Sequence, residues 1–187
     1  MRVAGLVLAA GAGRRFGGPK AVVEIAGERL VDRAVRVLAG GGCPDVVVVS
    51  GAVPLEVPGA SVVHNAGWDT GMASSLQVGA EATAGYDAVL VLLVDLPGVT
   101  VACVRRVLDA VADRSSLAVA TYDGRWGHPV ALGAEHVWPA AVSASGDQGA
   151  RPYLRAHLDL VREVECSDIG DPADVDLPAD LPPTPSR

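Results

Sequence analysis

With 187 residues, half of them hydrophobic, the chain is long enough to bury a sizeable core, and its apolar runs are spread too evenly to mark a second domain. A net charge of −7 and an aromatic content of 4% exclude a nucleic-acid binder, which needs a basic face or stacking platforms. Cys43, Cys103 and Cys166 are odd in number and far apart, so neither a disulfide framework nor a zinc site is indicated, and buried thiols in a reducing cytoplasm are expected.

Met1-Arg2 followed by the apolar run Val3–Ala10 imitates a secretory leader. Cleavage there would leave the charged stretch Arg14–Lys20 at a free end, so Val3–Leu8 is read instead as a first strand, buried on both faces. It runs into Ala9-Ala-Gly-Ala-Gly-Arg-Arg-Phe-Gly-Gly-Pro-Lys20. The dinucleotide fingerprint fails here, because Phe16 stands where the third glycine belongs and the second strand ends in Val49-Ser50 rather than an acid. A P-loop fails too: Gly13 and Gly18 have the right separation, but Pro19 precedes the lysine and Ala21 replaces the metal-binding hydroxyl. What survives is a glycine-rich loop whose N–H groups can face an anion, with Arg14, Arg15 and Lys20 around it. Lys20 is the only lysine beside fourteen arginines, and a lone ammonium at the end of such a loop points to phosphate held by a compact charge. A flexible turn with solvated charges is the plainer alternative, and the phosphate reading is preferred over it.

Beyond the loop, Leu30, Ala34, Val35 and Leu38 share one helical face, closed by Gly40–Gly42. Strands are expected at Asp45–Ser50 and Ala60–His64, with Pro54 and Pro58 between them. A helix should begin at Thr70 and end near Ala84-Gly85, and the loop Asn65–Ser75 that feeds it either supplies an ordinary cap, Asp69 or Thr70, or lines a ligand cleft. Val89–Val94 is the most apolar strand, and Asp95 follows at once. Thr100 reads as the cap of a helix over Val101–Val111. Leu117–Tyr122 and Trp126–Leu132 form a hairpin about Asp123-Gly124. The loop Gly146–Arg151 opens a helix with Pro152 in its first turn, and Leu160–Cys166 is the last strand. On these residues alone, His128 is a strand-end histidine bonded to backbone. From Glu163 to Arg187 there are seven acids against one base, and the stretch Pro178–Arg187 reads as a solvated tail.

Alternating strands and helices predict an α/β fold with a largely parallel sheet. Ligands of such sheets collect at the carboxyl ends of the strands, so Lys20 and Asp95 should face one cleft. A carboxylate beside a phosphate site requires a cation between them, which makes Asp95 the first-choice Mg²⁺ ligand.

The segment Leu8–Lys20 resembles the signature L-A-A-G-x-G-x-R-[MF]-G-x-x-K of the nucleotidyltransferases related to the molybdenum cofactor guanylyl- and cytidylyltransferases. Asn65-x-x-Trp68-x-x-Gly71-Met-x-x-Ser75-Leu76, Leu93-Val-Asp95-Leu-Pro97, Gly127-His-Pro-Val130, Gly146-Asp-Gln-Gly-Ala-Arg151 and Asp174-Val-Asp-Leu-Pro178 follow in that family's order. The resemblance spans nearly the whole chain and is closest to the cytidylyltransferase branch, to which Leu8-Ala9-Ala10-Gly11 belongs rather than the guanylyl-type L-A-G-G. It implies a single-domain, three-layer Rossmann-like nucleotidyltransferase fold over residues 1–177, with 178–187 as a flexible tail. Arg14, Arg15, Lys20 and Asp95 would be catalytic. Leu8, Ala9, Ala10, Gly11, Ala12, Gly13, Lys20, Asn65, Gly71 and Ser75 would bind the nucleotide. His128, Asp147 and Arg151 would line the acceptor side, and Asp176 would join Asp95 at the Mg²⁺, although Leu177 departs from the family's D-[IV]-D-T-P.

The implied activity is transfer of CMP from CTP to molybdopterin in the cytoplasm, with no nucleic acid or membrane involved. The molybdoenzyme or chaperone that receives the cofactor would be the protein partner. Two alternatives remain: transfer to a phosphosugar, polyol phosphate or phospho-acid, and an inactive nucleotide-binding or cofactor-handling partner.

Overall fold

The structure is a computed structural model that describes residues 1–181. In chain order its elements are β1 (Val3–Leu8), β2 (Glu24–Ile25), β3 (Glu28–Arg29), α1 (Leu30–Gly41), β4 (Asp45–Ser50) and β5 (Ser61–His64). There follow α2 (Met72–Ala82), β6 (Ala88–Leu93), α3 (Val101–Leu108), β7 (Leu117–Tyr122), β8 (Arg125–Gly133), α4 (Ala134–Ser143), α5 (Arg151–Ala156) and β9 (Val161–Glu165). Seven strands form one sheet in the order β5-β4-β1-β6-β8-β7-β9, and β2 and β3 make a separate two-stranded ribbon. Only β8 runs against its neighbours β6 and β7. This is the single-domain, three-layer α/β fold expected from the sequence, its sheet mostly parallel.

The strands alternate their side chains between two cores. Val7, Val48, Leu90 and Leu92 face α1 and α3, while Leu6, Val47, Val49, Val89 and Val91 face α2 and α4. Burial on both faces explains why β1, β4 and β6 read as unbroken aliphatic runs. Leu6, Leu38, Leu76 and Leu90 are each at most 2% exposed, and cutting any one to alanine would cost ~2–5 kcal/mol.

Three local expectations change. Neither Asp69 nor Thr70 caps α2: residues Trp68–Thr70 form a short 3-10 turn, the helix starts at Met72, and Gly71 is its N-cap without a side-chain bond. The orphan N–H groups are met from across the molecule, Met72 N donating to Asp147 Oδ1 at 3.3 Å and Ala73 N to the Gly146 carbonyl at 2.9 Å. The β2–β3 ribbon and α4 have no counterpart in the sequence reading. Thr100 does cap α3, its hydroxyl accepting from Cys103 N at 3.2 Å. Of the expected tail, Pro178–Asp180 forms a 3-10 turn, and residues 182–187 lie outside the described residues.

Candidate active site

β1 and β6 are parallel neighbours with Leu8 opposite Leu93, so the segments that follow them leave the sheet at one edge. After β1 the chain turns back on itself. The Gly13 carbonyl accepts from Gly17 N at 2.9 Å and Gly18 N at 3.1 Å. Gly13 has φ +59, and a Cβ there would run into the Gly18 carbonyl, so only glycine fits. A 3-10 turn over Lys20–Val22, anchored by buried Ala21, then returns the Lys20 side chain to the loop.

Lys20 Nζ donates to Asp95 Oδ2 and to Asp176 Oδ1, each at 2.9 Å. Arg15 donates to the other oxygen of Asp176 at 2.9 Å. Arg14 is exposed on the same loop and does not join this cluster among the described residues. Asp176 is brought in by backbone: Val175 N donates to the Asp95 carbonyl at 2.9 Å, and Asp171 N to the Gly98 carbonyl at 3.0 Å. Asp180 braces it from behind, accepting from Asp176 N at 3.0 Å and Leu177 N at 2.7 Å. Because Leu177 contributes a backbone N–H while its side chain lies exposed, its departure from threonine leaves the Asp176 carboxylate in place.

The electrostatics follow from these contacts. Hydrogen bonds from Lys20, and next from Arg15, hold the Asp176 carboxyl below the ordinary aspartate value. Partial burial works against the Lys20 charge, but the bonds to Asp95 and Asp176 outweigh it and its pKa stays above the usual lysine value. Among the described residues no group of three or more His, Cys, Asp or Glu side chains converges as a ready-made metal cage. Two carboxylates beside a cationic glycine loop could hold Mg²⁺ or Mn²⁺ without a full cage, because these ions take further ligands from phosphate and water.

Two adjoining cavities open at this edge. The smaller, about 240 Å³, is lined by Leu8, Ala10, Gly11, Gly13, Lys20, Trp68, Gly71, Ser75 and Asp95. The larger, about 700 Å³, has an apolar lining of Leu76, Val91, Val119, Trp126 and Val130, with His128, Asp147, Arg151 and Arg155 among its polar residues. Leu8, Met72, Leu93 and Asp147 border both.

Most residues singled out from the sequence therefore converge, with exceptions. Ala9 packs in the core on the α1 side of the sheet. Asn65 is buried and spends its amide on Ser74 Oγ at 2.8 Å and Ser75 Oγ at 3.0 Å, so it fixes the start of α2 rather than lining a cavity. Ala12 is absent from both cavity walls. Half-buried His128 lies in the larger cavity's wall with Nδ1 at 3.3 Å from the Val91 carbonyl, the backbone contact anticipated for a strand-end histidine, and burial lowers its pKa. Trp68, quoted only as part of a motif, and Arg155, given no role, both line the cavities, and Asp180 was counted with the tail.

With a cationic glycine loop and two acids at its carboxyl edge, the sheet has the parts expected of an α/β nucleotidyltransferase. Comparison agrees: residues 5–161 match the model of the MobA-like NTP transferase domain, and the chain belongs to that family. It is 40% identical over 189 residues to nicotine blue oxidoreductase of Paenarthrobacter nicotinovorans, covering 93% of this chain and 92% of that protein. It is 37% identical over 103 residues to a probable molybdenum cofactor guanylyltransferase of Opitutus terrae, covering 54% of this chain and 51% of that one. Among solved structures, Rv0371c of Mycobacterium tuberculosis H37Rv superposes with a TM-score of 0.79 at 24% identity, over 95% of this chain and 94% of that one. That protein has also been solved in complex with manganese. No helix among the described residues is long and apolar enough to cross a membrane.

Proposed function

We propose that this nucleotidyltransferase moves CMP from CTP to molybdopterin in a divalent-metal-dependent reaction that releases pyrophosphate. The observation that carries the reading is the Lys20 ammonium, 2.9 Å from both Asp95 and Asp176, in the wall of a small cavity that adjoins a large apolar one. Triphosphate would occupy the small cavity, where Lys20, with Arg14 and Arg15 from the loop's exposed side, holds its oxygens and steadies the leaving pyrophosphate, Arg15 through the guanidinium nitrogens it does not give to Asp176. Gly11, Gly13, Gly71 and Ser75 complete that wall. Ala10 and Trp68 narrow it, which supports a pyrimidine over a purine. When bound by Asp95 and Asp176, Mg²⁺ would supply the positive charge that lets two anions approach.

The acceptor phosphate attacks the α-phosphorus in line and is already ionised, so positioning and charge neutralisation suffice. A protein nucleophile is not needed: burial pushes the Cys43 and Cys166 thiols up to about 12, which leaves them inert. The larger cavity supports a fused-ring acceptor. A polyol or sugar would lay hydroxyls on its apolar lining, each unpaired one costing ~1–3 kcal/mol, whereas a pterin ring can lie flat there with its phosphate toward Arg151. His128 and Asp147 would hold the ring's polar edge. The setting is cytoplasmic, and a molybdoenzyme or its chaperone would collect the product.

Calorimetric titration of CTP, GTP and ATP with Mg²⁺, followed by pyrophosphate release on molybdopterin and on a panel of phosphosugars and polyol phosphates, tests this reading. Selective GTP binding overturns the base assignment, and turnover on a sugar phosphate alone overturns the acceptor. Nucleotide binding without any turnover favours an inactive cofactor-handling partner.

The near-full-length relative named for nicotine blue oxidation and reduction favours a second reading. In it, the apolar cavity lined by Trp126 takes a conjugated substrate for redox chemistry. Colour change with a reduced nicotinamide donor, without pyrophosphate release, would support that activity.

A further inference from the structure

We infer that Lys20 is a tethered competitor for the divalent ion: its ammonium holds Asp95 and Asp176 until nucleotide phosphates draw it away, so that metal and nucleotide enter together. The inference rests on the reading of those two acids as metal ligands and adds a role for Lys20 before any nucleotide is bound.

Carboxylate oxygens from two distant parts of the chain converge on one point, and a cation of the protein's own occupies it. Nζ lies 2.9 Å from Asp95 Oδ2 and 2.9 Å from Asp176 Oδ1. A Mg²⁺ ion needs its oxygens at ~2.0–2.1 Å and cannot share the gap between the same two oxygens with an ammonium. Like charges repel there as well, since the Lys20 and Asp95 side chains are only 13% and 21% exposed.

Lysine is suited to stepping aside. Its backbone is fixed in the 3-10 turn by buried Ala21, but four flexible carbons carry the charge. Phosphates lodged against Gly11 and Gly13 in the same wall offer the ammonium replacement anions within the reach of its stem. Asp176 is not released when Lys20 leaves, because Arg15 holds its other oxygen. Arg15 therefore keeps the acid in place while Lys20 decides what sits on its free side. Coupling of this kind is reciprocal: nucleotide tightens metal binding by the factor by which metal tightens nucleotide.

Mn²⁺ titration followed by electron paramagnetic resonance tests the inference, with wild type, Lys20→Met and Asp176→Asn each measured with and without CTP. Methionine keeps the length of the stem and removes the charge. The expected result is that Lys20→Met binds Mn²⁺ at least tenfold more tightly than wild type without nucleotide, a difference of ~1.4 kcal/mol, and gains less than wild type when CTP is added. Asp176→Asn should weaken binding in both conditions. The inference is overturned alone if CTP promotes Mn²⁺ binding in wild type and Asp176→Asn weakens it, yet nucleotide-free Lys20→Met binds no tighter than wild type. Equal Mn²⁺ affinity of wild type with and without CTP also overturns it, independently of whether the variant folds. If no protein adds to the Mn²⁺ held by CTP itself, the assignment of the two acids as ligands falls, and this inference with it.

Discussion

Gly71→Ala should damage the protein where its two cavities meet. Gly71 has φ +117 and ψ 174, a backbone region open to glycine alone, and an alanine there carries a strain of ~1–3 kcal/mol. A Cβ would also lie 2.7 Å from both the carbon and the oxygen of the Gly146 carbonyl, main-chain atoms that no rotamer change can remove. Overpacking of this kind costs a further ~1–3 kcal/mol. The sum, roughly 2–6 kcal/mol, is a large part of the ~5–15 kcal/mol that holds a domain folded. For a chain of this size it lowers the thermal midpoint by on the order of 10 °C. Any relaxation must push the Gly146–Asp147 loop away from α2, which strips Met72 N and Ala73 N of their acceptors and moves Asp147 at the border of both cavities. Scanning calorimetry with initial-rate kinetics over acceptor concentration measures both effects: a lower midpoint, and a raised acceptor KM in whatever fraction stays folded. A variant within 2 °C of wild type and with an unchanged KM would show that the loop and helix are not locked as described.

Lys20→Ala should lower transfer ~10²–10³-fold with the circular dichroism spectrum unchanged, and undiminished turnover would remove Lys20 from the chemistry. Ala10→Gly should raise the ratio of GTP to CTP use by roughly tenfold or more, about the value of one methyl group in a shaped pocket, as read by competitive pyrophosphate release. Glu165, which accepts from Ser167 and from Thr121 Oγ1 at 3.0 Å, has its pKa depressed from the ordinary 4.5 to about 2, led by the Ser167 hydroxyl. A depressed acid stabilises the fold fully above its unfolded pKa and loses that effect as pH falls through the folded one. The urea midpoints of wild type and Glu165→Gln should therefore differ at pH 7 and converge between about pH 4.5 and pH 2, and a constant gap would refute the assignment.

The meeting of Lys20 and Asp95 was legible because it needed only two buried aliphatic strands and the rule that their carboxyl ends share an edge. Asp176 was reachable only through the resemblance, since no local pattern says that residues 171–176 double back to hydrogen-bond at Gly98 and Asp95. The start of α2 misled for a related reason. Asp69 and Thr70 are good caps by type, but the acceptors in use belong to Gly146 and Asp147, about 75 residues away. Helix α4 escaped notice because Pro139 lies inside it and reads as a breaker. Strands β2 and β3 are two residues each, too short to leave a period. The resemblance names a run of consecutive residues for the nucleotide, but successive side chains at the end of β1 and just past it face opposite ways, which sends Ala9 into the core while Leu8 and Ala10 line the cleft.

The pairing of Lys20 with Asp176 spans 156 residues, and that separation is also an interval of time. At ~5–20 residues per second, a ribosome finishes the glycine loop roughly 8–30 s before it reaches the second acid. Until then Arg15 lacks the carboxylate it pairs with, and Lys20 has only Asp95, made about midway through the interval. A segment made late thus completes the charge pairing of one made early.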